Sequence, residues 1–265
     1  MAGEAITNNF VLNTATVMIG AQTDFFNLNP AAHSIGLVKN FKITATPQYT
    51  TLTQGVKNTI VDSQLTNNEI KATMEVYEYS AKNLKYALGL DGTTLTTTGA
   101  TSALKTSITA AATAALIVGD VSTTFGVGDW IEIQENDNVH LAKLSAVAYS
   151  SPDTTLTFTG YAIPTGVTFT SAAKIRKVAV IPVGSKTNQP YLSAKVVSGD
   201  LQDNAPIVLA IPKLRITRGF DIDFKTDAYS NMPFEFTPYD LTSSDTTVWN
   251  KFPTNDSVQV LRPVA

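Results

Sequence analysis

Few side chains in this sequence combine type and spacing in a way that suggests chemistry. Asp221 and Asp223 sit two apart in the alternating run FDIDFK. On an extended strand they share a face about 7 Å apart, a separation that suits a carboxylate pair for glycosidic chemistry. The same spacing describes a solvated strand face with Phe220, Ile222 and Phe224 buried behind it, and this second reading is preferred. Glu132, Glu135 and Asp137, beside Asn136 and Asn138, offer oxygen ligands for calcium. Their spacing is not that of an EF-hand loop, so a charged turn between two strands is expected. His33 and His140 have no companion His or Cys, which predicts surface or hydrogen-bonded histidines rather than ligands. Lys174, Arg176 and Lys177 form the densest basic cluster but lack interleaved aromatic residues for base stacking. Trp130 precedes the alternation Ile131, Glu132, Ile133 and is expected in a core, with sugar stacking as the other use of its ring. No phosphate-binding loop, nucleophile elbow or metalloprotease helix is present. No catalytic residue, metal site or cofactor is therefore expected.

Composition narrows the classes further. The 265 residues contain no cysteine and only two histidines, which removes disulfides, thiolate nucleophiles and most His-dependent chemistry. Charged residues make up 15% and the formal net charge is -3, so no global basic field attracts nucleic acid or an anionic membrane. The opening MAGEAITNNF lacks the basic and apolar regions of a secretory signal, and no run approaches the ~18 apolar residues of a membrane span. These features predict a protein made and folded in a cytosol, without membrane insertion.

The elements that must position these residues are mostly strands. Thr16 to Ala21 is a short strand candidate. In Ile35 to Thr46, Phe41, Ile43 and Ala45 alternate with Asn40, Lys42 and Thr44. Ile70, Ala72, Met74 and Val76 likewise alternate with Lys71, Thr73, Glu75 and Tyr77. Between these strands, Gln48 to Asn68 reads as a long polar loop. One helix is expected from Tyr79 to Leu90, with Ser80 as N-cap, Leu84, Ala87 and Leu88 as an apolar stripe, and Gly89 at its end. After Asp91-Gly92 a Thr/Ala-rich stretch begins, followed by short alternating segments separated by Gly, Pro, Asp or Asn. Further strands are expected at Tyr191 to Val197, Pro206 to Thr217, Phe220 to Lys225 and Met232 to Pro238. The implied organisation is one discontinuous β domain, 1–94 and 178–265, carrying an inserted, outward-facing all-β domain at 95–177.

Four features carry a resemblance: the apolar-tipped N-terminal arm Phe10, Val11 and Leu12; the strand pair bridged by the long polar loop; the short helix at Ser80 to Leu88; and the closing run APIVLAIPKLRITRGFDIDFKTDAYSNMPFEFTPYDL. Together they resemble the major tail tube proteins of tailed bacteriophages. The resemblance implies a mainly β fold, a tail-tube-type β-sandwich or barrel with one short flanking helix, six copies of which form a ring. Rings stack into a hollow tube through which viral DNA passes into the host, and the implied location is the virion, assembled in the bacterial cytoplasm. Further implied partners are other tail proteins such as sheath, tape measure, terminator or baseplate. Carried over, Phe10, Val11 and Leu12 match the arm and Thr50 to Thr66 the stacking loop, whose Leu52, Val56, Ile60, Val61 and Leu65 a neighbour would cover. Alternation then makes Lys42, Lys71, Glu75, Lys213, Arg215, Asp221, Asp223 and Lys225 candidates for lining the lumen. The family tends to an acidic lumen, whereas this set is mixed: either some of these strands face outward or the tube uses neutral Thr and Asn with scattered charge. The competing class is a carbohydrate-binding or adhesive β module.

Overall fold

The computed structural model describes residues 15–90, 101–184, 189–199, 206–223 and 227–262. The chain divides into two compact units, one from the residues up to Thr94 together with those from Val183 onward, the other from Leu95–Pro182.

In the first unit, strand β1 (Ala15–Ala21) leads into a 3-10 turn (Gln22–Asn27) and a one-turn helix α1 (Pro30–His33). Strands β2 (Val38–Gln54) and β3 (Thr59–Val76) follow, then helix α2 (Ala81–Ala87). Ser80 caps α2 by accepting the Asn83 amide at 3.1 Å, and the Tyr86 hydroxyl donates to the Ile19 carbonyl at 2.9 Å, fixing the helix to β1. The second unit contributes β4 (Thr101–Ala103), β5 (Ala114–Val118), β6 (Trp130–Glu135), β7 (Asn138–Lys143), β8 (Ala146–Ser150), β9 (Asp153–Thr157) and β10 (Lys174–Val178). The first unit closes with β11 (Leu192–Ser198), β12 (Val208–Arg218), β13 (Met232–Pro238) and β14 (Gln259–Leu261).

The strands of the first unit form one sheet in the order β1-β11-β12-β13-β3-β2, with β14 beside the first half of β12. Period-2 alternation places Ala72, Met74, Val76, Leu214, Ile216, Phe234 and Phe236 on one face, where Tyr86 and Ala87 of α2 join them in the main core. The opposite face is covered at one end by Phe25, Leu28, Leu241 and Val248, packed on Met18 and Ala210. The second unit has a four-stranded sheet, β4-β10-β6-β7, and a three-stranded sheet, β5-β9-β8. They share a core that includes Ile117, Phe125, Ile131, Ile133, Phe158 and Phe169.

This overturns the expected sandwich or barrel with one flanking helix. The sheets are open: among the described residues β1 and β2 end the seven-stranded sheet without pairing to each other, and short helical segments lie on it in more than one place. Helix α2 and the segment around Leu241 and Val248 supply the covering layers that a second sheet would have provided.

Two local expectations change as well. Gln48 to Asn68 is not a loop but the outer part of a β-hairpin, in which β2 and β3 pair from Val38↔Val76 to Gln54↔Thr59. Gly55 and Asn58, both at positive φ, close it with a short turn. The run FDIDFK is not a strand over its described residues. β12 ends at Arg218, the last residue paired with β13, and Gly219 then passes so close to α2 that a Cβ there would lie 2.8 Å from the Ala87 Cα and carbonyl oxygen.

Candidate functional site

The hairpin is the first candidate. β13 pairs with β3 only over Ala72–Val76, so beyond that point β2 and β3 have only each other among the described strands. At about 3.3 Å per residue the unsupported part, from Thr59 to Lys71, extends on the order of 40 Å. It carries apolar side chains that are more than half exposed. Leu52 is 65% exposed, Ile60 62%, and Val56 at the turn is fully exposed. Tyr49, Val61 and Leu65 are each more than half exposed.

The register gives this arm two different faces. From Lys42 outward, β2 alternates without interruption, so Ile43, Ala45, Pro47, Tyr49, Thr51 and Thr53 share a face, and Ile43 packs against the main core. On β3, register shifts leave Thr66 and Val61 as extra residues, placing Leu65 opposite Tyr49 and Ile60 opposite Thr53. Tyr49, Leu65 and Ile60 thus prolong the sheet's core face, while Leu52, opposite Asp62, lies on the other face. Sequence reading treated Leu52 as equivalent to the rest and passed over Tyr49. The signal was the strand parity, invisible while the segment was taken as a loop. Phe10, Val11 and Leu12 lie outside the described residues.

The polar face of the sheet is the second candidate. It brings together Lys42, Lys71, Glu75 and Arg215 from the expected lumen set. Lys42 is exposed opposite Thr73, and Lys71 is exposed and paired with Glu69 at 2.7 Å. Glu75 is half-buried. Asn40, turned by the β2 bulge at φ 54°, and the Tyr77 hydroxyl at 2.9 Å both hydrogen-bond its carboxylate and hold its pKa below the usual range. Arg215 lies opposite Thr237 with its guanidinium 4.1 Å from the Tyr191 ring centroid. Further charged members of this face, not singled out in the sequence, are Lys39 opposite Glu75, Arg218 opposite Glu235, Glu69 opposite Thr46 and, along the arm, Asp62 opposite Leu52.

The other lumen candidates fall elsewhere. Lys213 has the right parity but is buried, because the segment that follows β13 covers it. Its ammonium donates to Asp245 Oδ2 at 2.8 Å and lies 4.5 Å from the Tyr191 ring centroid. Burial pushes the Asp245 carboxyl up, but hydrogen bonds from Lys213, the Thr242 amide and hydroxyl, and Gln22 outweigh it and hold the pKa at about 2. Asp221 and Asp223 are exposed beyond the end of β12, and Lys225 lies outside the described residues.

The remaining chemical candidates are accounted for within the units. Asn136 and Asp137 form the two-residue turn between β6 and β7, with Asn136 at φ 55°. Glu132 pairs with Arg176 at 3.0 Å, and Glu135 accepts hydrogen bonds from the Thr170 amide and hydroxyl. Lys177 pairs with Asp129 at 2.7 Å, so two members of the basic cluster already have carboxylate partners. His140 Nε2 lies 2.8 Å from the Tyr161 carbonyl oxygen, and His33 Nδ1 accepts from the Asn29 amide. Trp130 is half-buried with Tyr161 edge-on to its ring at 5.4 Å. Among the described residues no group of three His, Cys, Asp or Glu is placed to hold a metal ion. No family model matches the sequence, and a search of curated proteins finds no match.

Proposed function

We propose that this chain is the structural subunit of a bacteriophage tail tube, assembling through copies of itself into stacked hexameric rings whose hollow centre conducts DNA. The observation that carries the reading is the hairpin arm. A strand pair that leaves Tyr49, Ile60, Val61 and Leu65 more than half exposed is a poor end state for a monomer. Burying such side chains against a neighbour contributes about 1.5–3 kcal/mol for each one fully covered, and a closed ring repeats that gain in every subunit. The open ends of the sheet support the same reading, since strand edges left unpaired within one chain are available to another. In the assembled tail the ends of the tube would meet terminator and baseplate proteins. A sheath, if the tail is contractile, would surround it, and a tape measure would occupy the lumen before ejection.

The test is assembly of arm variants. Replacing Val56, Ile60 and Val61 together with Ser is expected to leave circular dichroism unchanged while abolishing the large species seen in sedimentation velocity at high protein concentration. Unaltered sedimentation of the variant would remove the arm as the assembly element.

A further inference from the structure

Helix α2 is finished by a residue that lies far away in the chain. Its own last turn closes locally: the Gly89 amide donates to the Tyr86 carbonyl at 2.7 Å and the Leu90 amide to the Lys85 carbonyl at 2.9 Å, with Gly89 in the left-handed region at φ 71°. The Leu88 carbonyl is outside this pattern. It accepts instead from Gln189 Nε2 at 2.9 Å, across 101 residues of chain that include the whole second unit. The Gln189 side chain lies directly on Gly89, where a Cβ would stand 2.4 Å from its Cδ and 2.6 Å from both terminal atoms of its amide. Gly89 is thereby buried although Gln189 itself is exposed.

The returning chain is seated a second time two residues later. The Tyr191 ring centroid lies 4.1 Å from the Arg215 guanidinium and 4.5 Å from the Lys213 ammonium, with Tyr239 edge-on at 5.7 Å, and β11 begins at the fully buried Leu192. Pro190 stands between the two contacts. Its ring fixes its own φ and biases Gln189 toward extended backbone. Once Tyr191 is seated, the side-chain torsions of Gln189 are therefore most of what remains to be ordered. Both contacts, and the end of α2, belong to the first unit.

We infer that Gln189 is a latch through which the chain's return from the second unit completes α2, joining the points where the chain leaves and re-enters the first unit. It is a positioning residue that acts through the Leu88 carbonyl and the Gly89 backbone. The end of α2, which carries Tyr86 and Ala87 into the main core, thus reports whether the return segment is seated. The inference does not rest on the tube reading and stands whether or not the chain assembles.

The experiment is amide hydrogen exchange of the full chain at neutral pH, read by mass spectrometry with fragments that separate the two ends of α2. Q189E keeps the shape of the side chain but removes its donor. It is expected to speed exchange at Gly89 and Leu90 about 2- to 12-fold, the range that one hydrogen bond supplies. The Asn83 amide, which donates to Ser80 Oγ at the other end of the helix, and the amides of β12 are expected to be unchanged. Q189K, which returns a donor within reach of the carbonyl, is expected to restore protection. G89A should speed exchange by itself, since its Cβ displaces Gln189, and adding Q189E to G89A should change nothing further. Exchange unaltered by Q189E, raised equally by Q189E and Q189K, or raised by Q189E as much in G89A as in the wild type would overturn the inference. Both Gln189 variants change only an exposed side chain, so the comparison between them does not depend on G89A folding.

Discussion

Lys213 and Asp245 show how a residue that looks functional in the sequence becomes structural in the fold. The alternation IVLAIPKLRIT puts Lys213 on the polar side correctly, but parity does not say what lies above that side. The covering segment arrives from the end of β13 onward, and its run LTSSDTT carries no periodicity that would mark it as a layer. The pair is buried and supported by Gln22 and Thr242, so removing one partner should be costly. K213M, which strands the carboxylate, is expected to destabilise the first unit by about 3–5 kcal/mol, and K213M/D245L to recover most of that loss. Urea denaturation followed by Trp249, which packs beside this cluster, measures it. Acid dependence follows from the same pair. A carboxyl held at about 2 when folded, against ~3.9 unfolded, contributes about 2–3 kcal/mol that is complete above about pH 5. That contribution is lost as pH falls through about 2. D245N should therefore flatten the fall in stability between pH 4 and 2, and an unchanged slope would show that other groups govern acid unfolding.

Among elements, α2 was the most legible, because a Ser N-cap, an apolar stripe and a terminal Gly are local signals. The paired halves of β2 and β3 were legible for the same reason, since one face is buried and hydrophobicity alternates. The arm was not. Exposed on both faces, Thr50 to Thr66 has no apolar alternation to display, and its Thr, Gln and Asn look like a loop. FDIDFK misled in the opposite direction, showing alternation where the described backbone has already left the sheet, just past the point where Gly219 is packed against Ala87. G219A should force the two backbones apart and destabilise the first unit by about 1–3 kcal/mol, with a matching drop in its urea midpoint. The arm makes a sharper prediction, one that depends on its faces. Y49S/L65S is expected to abolish assembly in sedimentation velocity, whereas L52S, on the opposite face beside Asp62, should retain most of it. Equal loss from both would mean that the arm is gripped on both sides.

At the scale of the whole molecule, strand content was readable but closure of the sheets was not. Whether a sheet closes depends on which edge strands meet, a long-range outcome that local alternation does not encode. Here α2 and the late covering segment occupy the faces, and the sheet stays open with an arm at one end. The second unit has its own core, so its removal should be tolerated. Joining Gly92 to Ala179 through a short Gly/Ser linker is expected to leave a folded protein that still assembles, and unfolding would place that segment within the fold of the first unit. The assembly expectations depend on the chain being a subunit that builds a tube from copies of itself. Negative-stain electron microscopy of the purified full chain at high concentration tests that claim most directly. The account predicts rings with sixfold class averages and hollow tubes of uniform width, whereas a population of isolated monomers or small closed oligomers, unchanged as concentration rises, would contradict it.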